Sequence, residues 1–445
     1  MNIALILAAG KSTRFKSDTP KSLHEINGEG ILAKIVTCLE LTDISQIYIV
    51  VSRENISYFK DKFGDKFKYL IQKEPNGTGG ALLTIREELE TMEGNLMVIN
   101  ADTYITNKNI FKDFLDDFEN SNVEGSLLTA IKKDPFSYGR VIKQSGLLKR
   151  IVEENDASSE EKIIKEVNLG VYLFKINKLR KVMRFVSSKG NLNLYITEFL
   201  NYLQTKTYIT GERDLIGINT KEDWYKASKL NQRRINLFFL SNGVKIFDLD
   251  SVFIEEGVII EEDVSIYPGN VITGNTVIKK GTTLLPNNQI IDSKIGNNSL
   301  INNSIIISSE ISKDTKVGPY SYIRDKSIIG EGAIVGCFVE VKNTVLEKNS
   351  KVKHLTYLGD SKIGKNTNIG CGVISANFDG VKKSQTIIGD DCMVGANVTL
   401  IAPLKVGDNS VLAAGSTIDQ DVNPYSLAIA RSRQINKDGH YKKSL

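Results

Sequence analysis

A chain of 445 residues is too long for one compact core and suits two or three domains. With 57 Lys and Arg against 53 Asp and Glu the net charge is only +4, and no long basic run occurs outside the last few residues. That balance argues against nucleic acid as a partner and leaves small anionic substrates open. Cys38, Cys337, Cys371 and Cys392 lie far apart without a Cys-x-x-Cys spacing, so they are expected to be small apolar fillers in a reducing compartment. The sequence begins directly with a strand-like run and has no stretch of membrane-spanning length, so a cytoplasmic protein without membrane insertion is expected.

Along the first half, strand-like runs at 3–7, 47–51 and 96–99, with a short element near 67–71, alternate with helical runs at 31–41, 80–89 and 111–118. This β-α-β rhythm predicts a mostly parallel sheet with helices on both faces, a fold that binds ligands at the carboxyl ends of its strands. The first strand runs into LAAGKSTRF, 7–15, followed by Pro20-Lys21. After Leu7 the small residues Ala8, Ala9 and Gly10 leave backbone N–H groups near any bound phosphate, and Arg14 and Lys21 add fixed positive charge. Without those two basic residues the turn would read equally well as a tight connection.

A helix is predicted over 221–241. Thr220 and Asp223 form an N-cap pattern, Trp224, Ala227, Leu230, Leu237 and Phe238 form an apolar stripe, and Asn242-Gly243 stops it. The chain then divides into 1–220, a linking helix at 221–243, and 244–445.

From Ile254 to Ile418 an Ile, Leu or Val recurs at nearly every sixth position, as in Ile254, Ile260, Ile266 and Ile272, then Ile295, Ile301 and Ile307, and finally Ile388, Val394 and Leu400. A period of six fits neither a helix nor an ordinary strand. It predicts a three-sided solenoid whose aliphatic residues point inward from coils stacked about 4.8 Å apart. Gly318, Gly330, Gly336, Gly364, Gly370, Gly389, Gly395 and Gly407 follow the aliphatic and are expected at corners where a side chain or a negative φ would obstruct the turn. A bare prism could be only a spacer. Two segments, KHLTYLGD (353–360) and ANFDGVKKSQT (376–386), interrupt the period and are expected to be loops that carry binding.

The first-strand turn with Arg14 and Lys21 closely resembles the signature of sugar-nucleotide pyrophosphorylases. The resemblance continues through Gln72 and NGTGGA (76–81), VINAD ending at Asp102, YGRV from Tyr138, IVEEND from Ile151, NLG at Asn168 and GIN at Gly217. With the solenoid included, the whole chain is similar to the bacterial bifunctional N-acetylglucosamine-1-phosphate uridyltransferase/glucosamine-1-phosphate acetyltransferases. That resemblance implies an α/β Rossmann-like nucleotidyltransferase domain followed by a left-handed parallel β-helix. It also implies small-molecule partners (UTP, sugar 1-phosphates and acetyl-CoA), Mg²⁺ as cofactor, and a homotrimer.

Residue by residue, it implies that Leu7, Ala8, Ala9, Gly10, Lys21, Gln72, Gly77 and Thr78 bind the nucleotide, with Arg14 and Lys21 catalytic. Gly139, Glu153, Asn168 and Asn219 would serve the sugar phosphate, with Asp102 and Asn219 on the metal. In the solenoid, Arg324, Lys342, Tyr357, Asn368 and Lys383 would bind glucosamine 1-phosphate, and Asn377, Phe378, Ala396, Ala414 and Arg431 would lie along acetyl-CoA. His354 would be the general base. The other two histidines, His24 and His440, are expected at ordinary surface or satisfied positions.

The residue types suit that chemistry. Attack of a sugar 1-phosphate on the α-phosphorus of UTP asks the protein to align anions and neutralise charge, with no protein nucleophile. The amine of glucosamine 1-phosphate must lose a proton before it attacks a thioester, and imidazole is a suitable acceptor near neutrality. The chain departs from the family pattern at Ser12 and Ala101 (usually Gly), Pro75 (Gln), Gly80 (His), Leu169 (Thr), Asp325 (Pro) and Ala396 (Ser). These departures bear on base, sugar and acetyl recognition. Two further readings are a monofunctional nucleotidyltransferase with an oligomerising solenoid, and a non-catalytic assembly subunit; the retained site residues count against both.

Overall fold

The computed structural model describes residues 1–10, 12–187 and 194–438, which form two compact units, Met1–Asn231 and Gln232–Leu445. His440 lies outside the described residues.

In the first unit, Ile3 and Leu5 of strand Asn2–Leu7 enter one apolar core while Ala4 and Ile6 enter another, so the strand is covered on both faces. It is the central strand. Ile44–Ser52 and Asn95–Asn100 pair with it in parallel on either side, and Lys68–Gln72 extends the sheet beyond Ile44–Ser52. Helices Ile31–Leu39 and Ile110–Glu119 fill one core; Gly77–Leu83 and Ile176–Ser187 fill the other. The predicted helix at 80–89 is two helices, Gly77–Leu83 and Arg86–Leu89.

Beyond Asn95–Asn100 the sheet turns antiparallel. Glu166–Lys175 runs against it, and Arg140–Gln144 with Leu147–Val152 forms a hairpin whose turn, Ser145-Gly146, has φ of 51° and 80° as a two-residue turn requires.

Helix Lys221–Ser241 begins with a reciprocal cap: Asp223 N donates to Thr220 Oγ1, and Thr220 N donates to Asp223 Oδ2. Its predicted stripe needs correction. Ala227 is buried, but Leu237 and Phe238 are exposed. The inward side continues instead through Asn231, Gln232, Ile235, Asn236 and Phe239. Polar members are tolerated there because Asn236 Nδ2 donates to the carbonyls of Leu249 and Val252.

The second unit is a parallel β-helix of short strands, with one ladder running through Ile260, Ile278, Ile295 and Ile311 and others through Ile266, Leu284, Ile301 and Val317 or Ile254, Ile272, Ile290 and Ile306. These side chains form one continuous core. Buried Ser, Thr and Asn side chains satisfy carbonyls at the turns; Asn288, for example, donates to Asn270 Oδ1 and Leu285 O.

Three expectations change. Ile306, not Ile307, is the inward residue of its coil, because the coil shortens to five-residue steps there. The segment 353–360 is no loop: Lys351–Gly359 is one nine-residue strand lying in register beside Ile334–Lys342. Only 377–385 leaves the ladder. Finally, φ explains few of the corner glycines. Gly318 alone of the eight has a positive φ, while a Cβ on Gly336 would stand 2.1 Å from Lys353 O and one on Gly364 2.3 Å from Gly389 C. Close coil stacking demands them. Asn and Asp take many left-handed corners instead, such as Asn298, Asn349 and Asn366, and Asn349 Nδ2 and Asn366 Nδ2 pass hydrogen bonds to Asn366 and Asp391 on successive coils.

The cysteine expectation holds for Cys38 and Cys392, which are buried. Cys371 is exposed at a corner before Gly372, so it fills no core. No helix among the described residues is long and apolar enough to cross a membrane.

Because Ile306 is fully buried and Ile307 is not, Ile306→Ala should destabilise the solenoid by about 2–5 kcal/mol and Ile307→Ala by about 1 kcal/mol or less. Urea unfolding of the two variants followed by circular dichroism checks the contrast; equal midpoints would contradict the assignment.

Candidate functional site

Parallel pairing sets Leu7 beside Val50 and Asn100, and Ser52 beside Gln72, so the chain leaves these strands along one edge of the sheet. There a cavity of about 310 Å³ is lined by Leu7, Ala8, Ala9, Gly10, Lys21, Gln72, Gly77, Thr78 and Asp102, the whole predicted nucleotide set together with the predicted metal carboxylate. The amide of Ala8 is spent on Val50 O, so the open part of the loop begins after it. Ser12 adopts φ 50°, a left-handed conformation that a glycine takes at less cost, and its Oγ accepts from the backbone N of Lys21 at 3.4 Å.

Lys21 Nζ is 2.6 Å from Asp102 Oδ2 and 3.1 Å from Asn219 Oδ1, and Arg14 Nη2 is 3.0 Å from the same Asn219 oxygen. Two features bring these distant residues together. Thr103–Ile105 pairs antiparallel with Leu215–Gly217, and Ile218 N donates to Asp102 O at 2.7 Å. Asn219 N is then held by Asp223 Oδ2 in the helix cap. Among the described residues no group of three or more His, Cys, Asp or Glu is placed to hold a metal. A cation here would draw on Asp102 and Asn219 with water or substrate oxygens, a pattern that Mg²⁺ accepts, and the two oxygens already converge on one positive charge.

The predicted sugar residues also meet. Asn168 N donates to Gly139 O at 2.9 Å, and a Cβ on Gly139 would come within 3.4 Å of both Glu153 carboxylate oxygens. Burial holds the Glu153 carboxyl above the usual carboxylate range, with Asp156 adding to the effect. Asn168 is fixed by giving Nδ2–H to Tyr172 Oη and taking the Gly170 amide on Oδ1, across a bulge where Gly170 has φ 75°. Leu169 points into the apolar core, so its replacement of Thr leaves that core closed.

Sequence reasoning missed Leu194. Its backbone packs so tightly on Gly77 and Gly79 that a Cβ on either would approach Leu194 O to 2.4 and 2.9 Å. Gly79 N donates to Leu194 O, and Leu194 N to Asn76 O.

In the β-helix, Arg324, Lys342 and Gly359 are register partners on successive coils. Arg324 is held by Glu340 at 2.7 Å and by Asp325 at 2.8 Å. Asp325 has φ 57°, which proline cannot adopt, so its backbone excludes the family's usual residue. Asn377 Nδ2 donates to Asp360, whose other oxygen accepts from Asn343 at 2.6 Å. A Cβ on Gly359 would collide with Tyr357 Oη and Asn377 Nδ2, so glycine lets those two approach. The close approach of Lys342, a like charge, holds the Lys383 ammonium below the usual lysine range.

His24 is ordinary, as expected: it hydrogen-bonds Ser17 Oγ and packs on Phe15. His354 is exposed, on the corner that Lys351–Gly359 turns. Ala396 and Ala414 stand further along the same kind of corner, with Gly415 N donating to Ala396 O and the Arg431 side chain reaching Gly415. Asn368 pairs with Lys351 at the start of that strand, whereas Tyr357 lies past the corner, beside Ile374. Phe378 is exposed on the 377–385 loop. The chain therefore gathers Arg324, Lys342, Tyr357, Asn377 and Lys383 but leaves His354, Asn368, Ala396, Ala414 and Arg431 on the neighbouring corner and face.

A nucleotidyl transferase family model matches residues 3–224, a bacterial transferase hexapeptide model matches 308–343, and a succinyl-transferase hexapeptide-repeat model matches 385–420. Bifunctional protein GlmU of Acetivibrio thermocellus is 37% identical over 452 residues, covering 100% of this chain and 98% of that protein. Bifunctional protein GlmU of Caldanaerobacter subterraneus is 38% identical over 446 residues, with 98% of this chain and 97% of that protein covered. Bifunctional protein GlmU of Clostridium novyi is 39% identical over 443 residues at the same coverage. A transferase sheet with its cavity and a hexapeptide helix, matched end to end by these relatives, make this chain a member of the bifunctional GlmU family.

Proposed function

We propose that the second unit transfers an acetyl group from acetyl-CoA to glucosamine 1-phosphate, and that the first transfers uridylyl from UTP to N-acetylglucosamine 1-phosphate with release of pyrophosphate. Family membership makes the chain a bifunctional transferase, and the monofunctional reading is not favoured. The observation that carries the uridylyl half is the convergence of Arg14, Lys21, Asp102 and Asn219 at the edge of the cavity.

In that step a phosphate oxygen of the sugar 1-phosphate bonds to the α-phosphorus as the bond to pyrophosphate breaks. Gly139, Glu153 and Asn168 hold the sugar; the loop from Leu7 to Gly10 and the basic pair Arg14 and Lys21 hold the phosphates. Asp102 and Asn219 would hold Mg²⁺, which when bound would neutralise phosphate charge. Lys21, paired with Asp102, presents its ammonium to the phosphates.

In the acetyl step His354 accepts a proton from the glucosamine ammonium. The freed amine bonds to the thioester carbonyl, and coenzyme A leaves as its thiol. Arg324, Lys342 and Lys383 hold the sugar phosphate, with Tyr357 and Asn368 nearby; Asn377, Phe378, Ala396, Ala414 and Arg431 flank acetyl-CoA. Ala396 has no hydroxyl to offer the acetyl carbonyl. These residues occupy more than one face of a single helix, so a neighbouring copy would complete the site, in a trimer working in the cytoplasm. Tyr320 and Phe338 support such an interface: they stack at 5.4 Å on successive coils and are more than half exposed, leaving an apolar ladder for a second copy to cover.

Asp102→Ala should lower uridylyl transfer on the order of 10²–10³-fold and leave acetyl transfer near wild type. EDTA should separate the two reactions in the same way. Assays of both products on one preparation check this, and full Mg²⁺-dependent UDP-sugar formation by the variant would refute the role. His354→Ala should cut acetyl transfer by about 10²–10⁴-fold at unchanged melting temperature, with uridylyl transfer spared; an unchanged acetyl rate removes His354 from the mechanism. Light scattering should give three chains per particle. A monomer with full acetyl transfer would sink the shared site.

A further inference from the structure

Gln72 faces the cavity from the end of strand Lys68–Gln72, and both protons of its amide are committed inward. Its Nε2 donates to Asn76 Oδ1 at 2.9 Å and to the carbonyl of Gly77 at 3.1 Å. A main-chain carbonyl can only accept, so the nitrogen of Gln72 must point that way and its oxygen is the group left for a ligand. Pro75, on the same cavity wall, has no N–H and no polar side chain. The Asn76 side chain can take this position only because residue 80 is glycine: a Cβ there would stand 1.7 Å from Asn76 Oδ1.

We infer that Asn76 is a positioning residue for base recognition: with Gly77 O it fixes the Gln72 amide so that this side chain presents an acceptor alone and selects a base bearing a ring N–H. This rests on the uridylyl reading above. The imide N–H of uracil satisfies such an acceptor, whereas the ring N3 of cytosine meets it with a lone pair. Gly80 serves the same end by leaving room for the Asn76 side chain.

The test is the ratio of kcat/KM for UTP over that for CTP in the full-length protein, with acetyl transfer on the same preparation as the control for folding. If wild type shows no preference for UTP over CTP, the uridylyl reading itself fails. If wild type prefers UTP, Asn76→Leu should lower the ratio about tenfold, the worth of one hydrogen bond, with acetyl transfer unchanged. Asn76→Asp, which still accepts from Gln72, should keep the ratio. Gly80→Ala should lower it as Asn76→Leu does, and Asn76→Ala with Gly80→Ala should lower it no further than Asn76→Ala alone. A ratio within twofold of wild type in Asn76→Leu, or an equal loss in Asn76→Asp, would overturn the inference while leaving the uridylyl reading intact.

Discussion

Parallel backbone pairing is the constraint on which both units depend. Strands that run side by side in one direction end on one side, so in the first unit the exits of Asn2–Leu7, Lys68–Gln72 and Asn95–Asn100 share an edge and their loops must meet over it. In the second unit the same pairing stacks each coil on the last, so a residue inherits the orientation of its register partner. The cavity follows from the first consequence and the ladder of Arg324 and Lys342 from the second.

Candidate site residues are concentrated where that regularity is broken. Asn168 reaches its partners through a bulge that needs Gly170 in a left-handed conformation. Asp102 meets Asn219 through a separate two-stranded pairing off the main sheet. In the β-helix the loop 377–385 leaves the ladder, and Ser375 takes an inward position otherwise held by aliphatic residues, where its hydroxyl accepts the Gly359 amide at 2.7 Å. A regular frame fixes distances, and each local exception redirects one polar group within it.

What was legible in the sequence follows from the same distinction. The hexapeptide period survives because every coil repeats one inward geometry, and it failed only at Ile307, where three neighbouring isoleucines, Ile305 to Ile307, leave the phase open. The strand at 351–359 was mistaken for an interruption because its coil has one residue fewer than eighteen, which shifts the phase without adding a loop. The antiparallel strands between 125 and 175 were not foreseen, since pairing between remote segments is not written in local periodicity. Gln72, Gly77 and Thr78 could be placed from a motif. Leu194 and the lock formed by Asn76 and Gly80 could not, because each acts by occupying space that only the folded chain defines.

The β-helix therefore behaves as a grid. Its columns are spaced by backbone hydrogen bonds, about 4.8 Å from coil to coil, and its rows by the turn of the chain. Arg324 and Lys342 are neighbours in one column, and that spacing persists whichever side chains occupy the two cells. Substitution can rewrite what a cell contains but not where it stands, so the surface can exchange one arrangement of charges for another with no cost to the core beneath it.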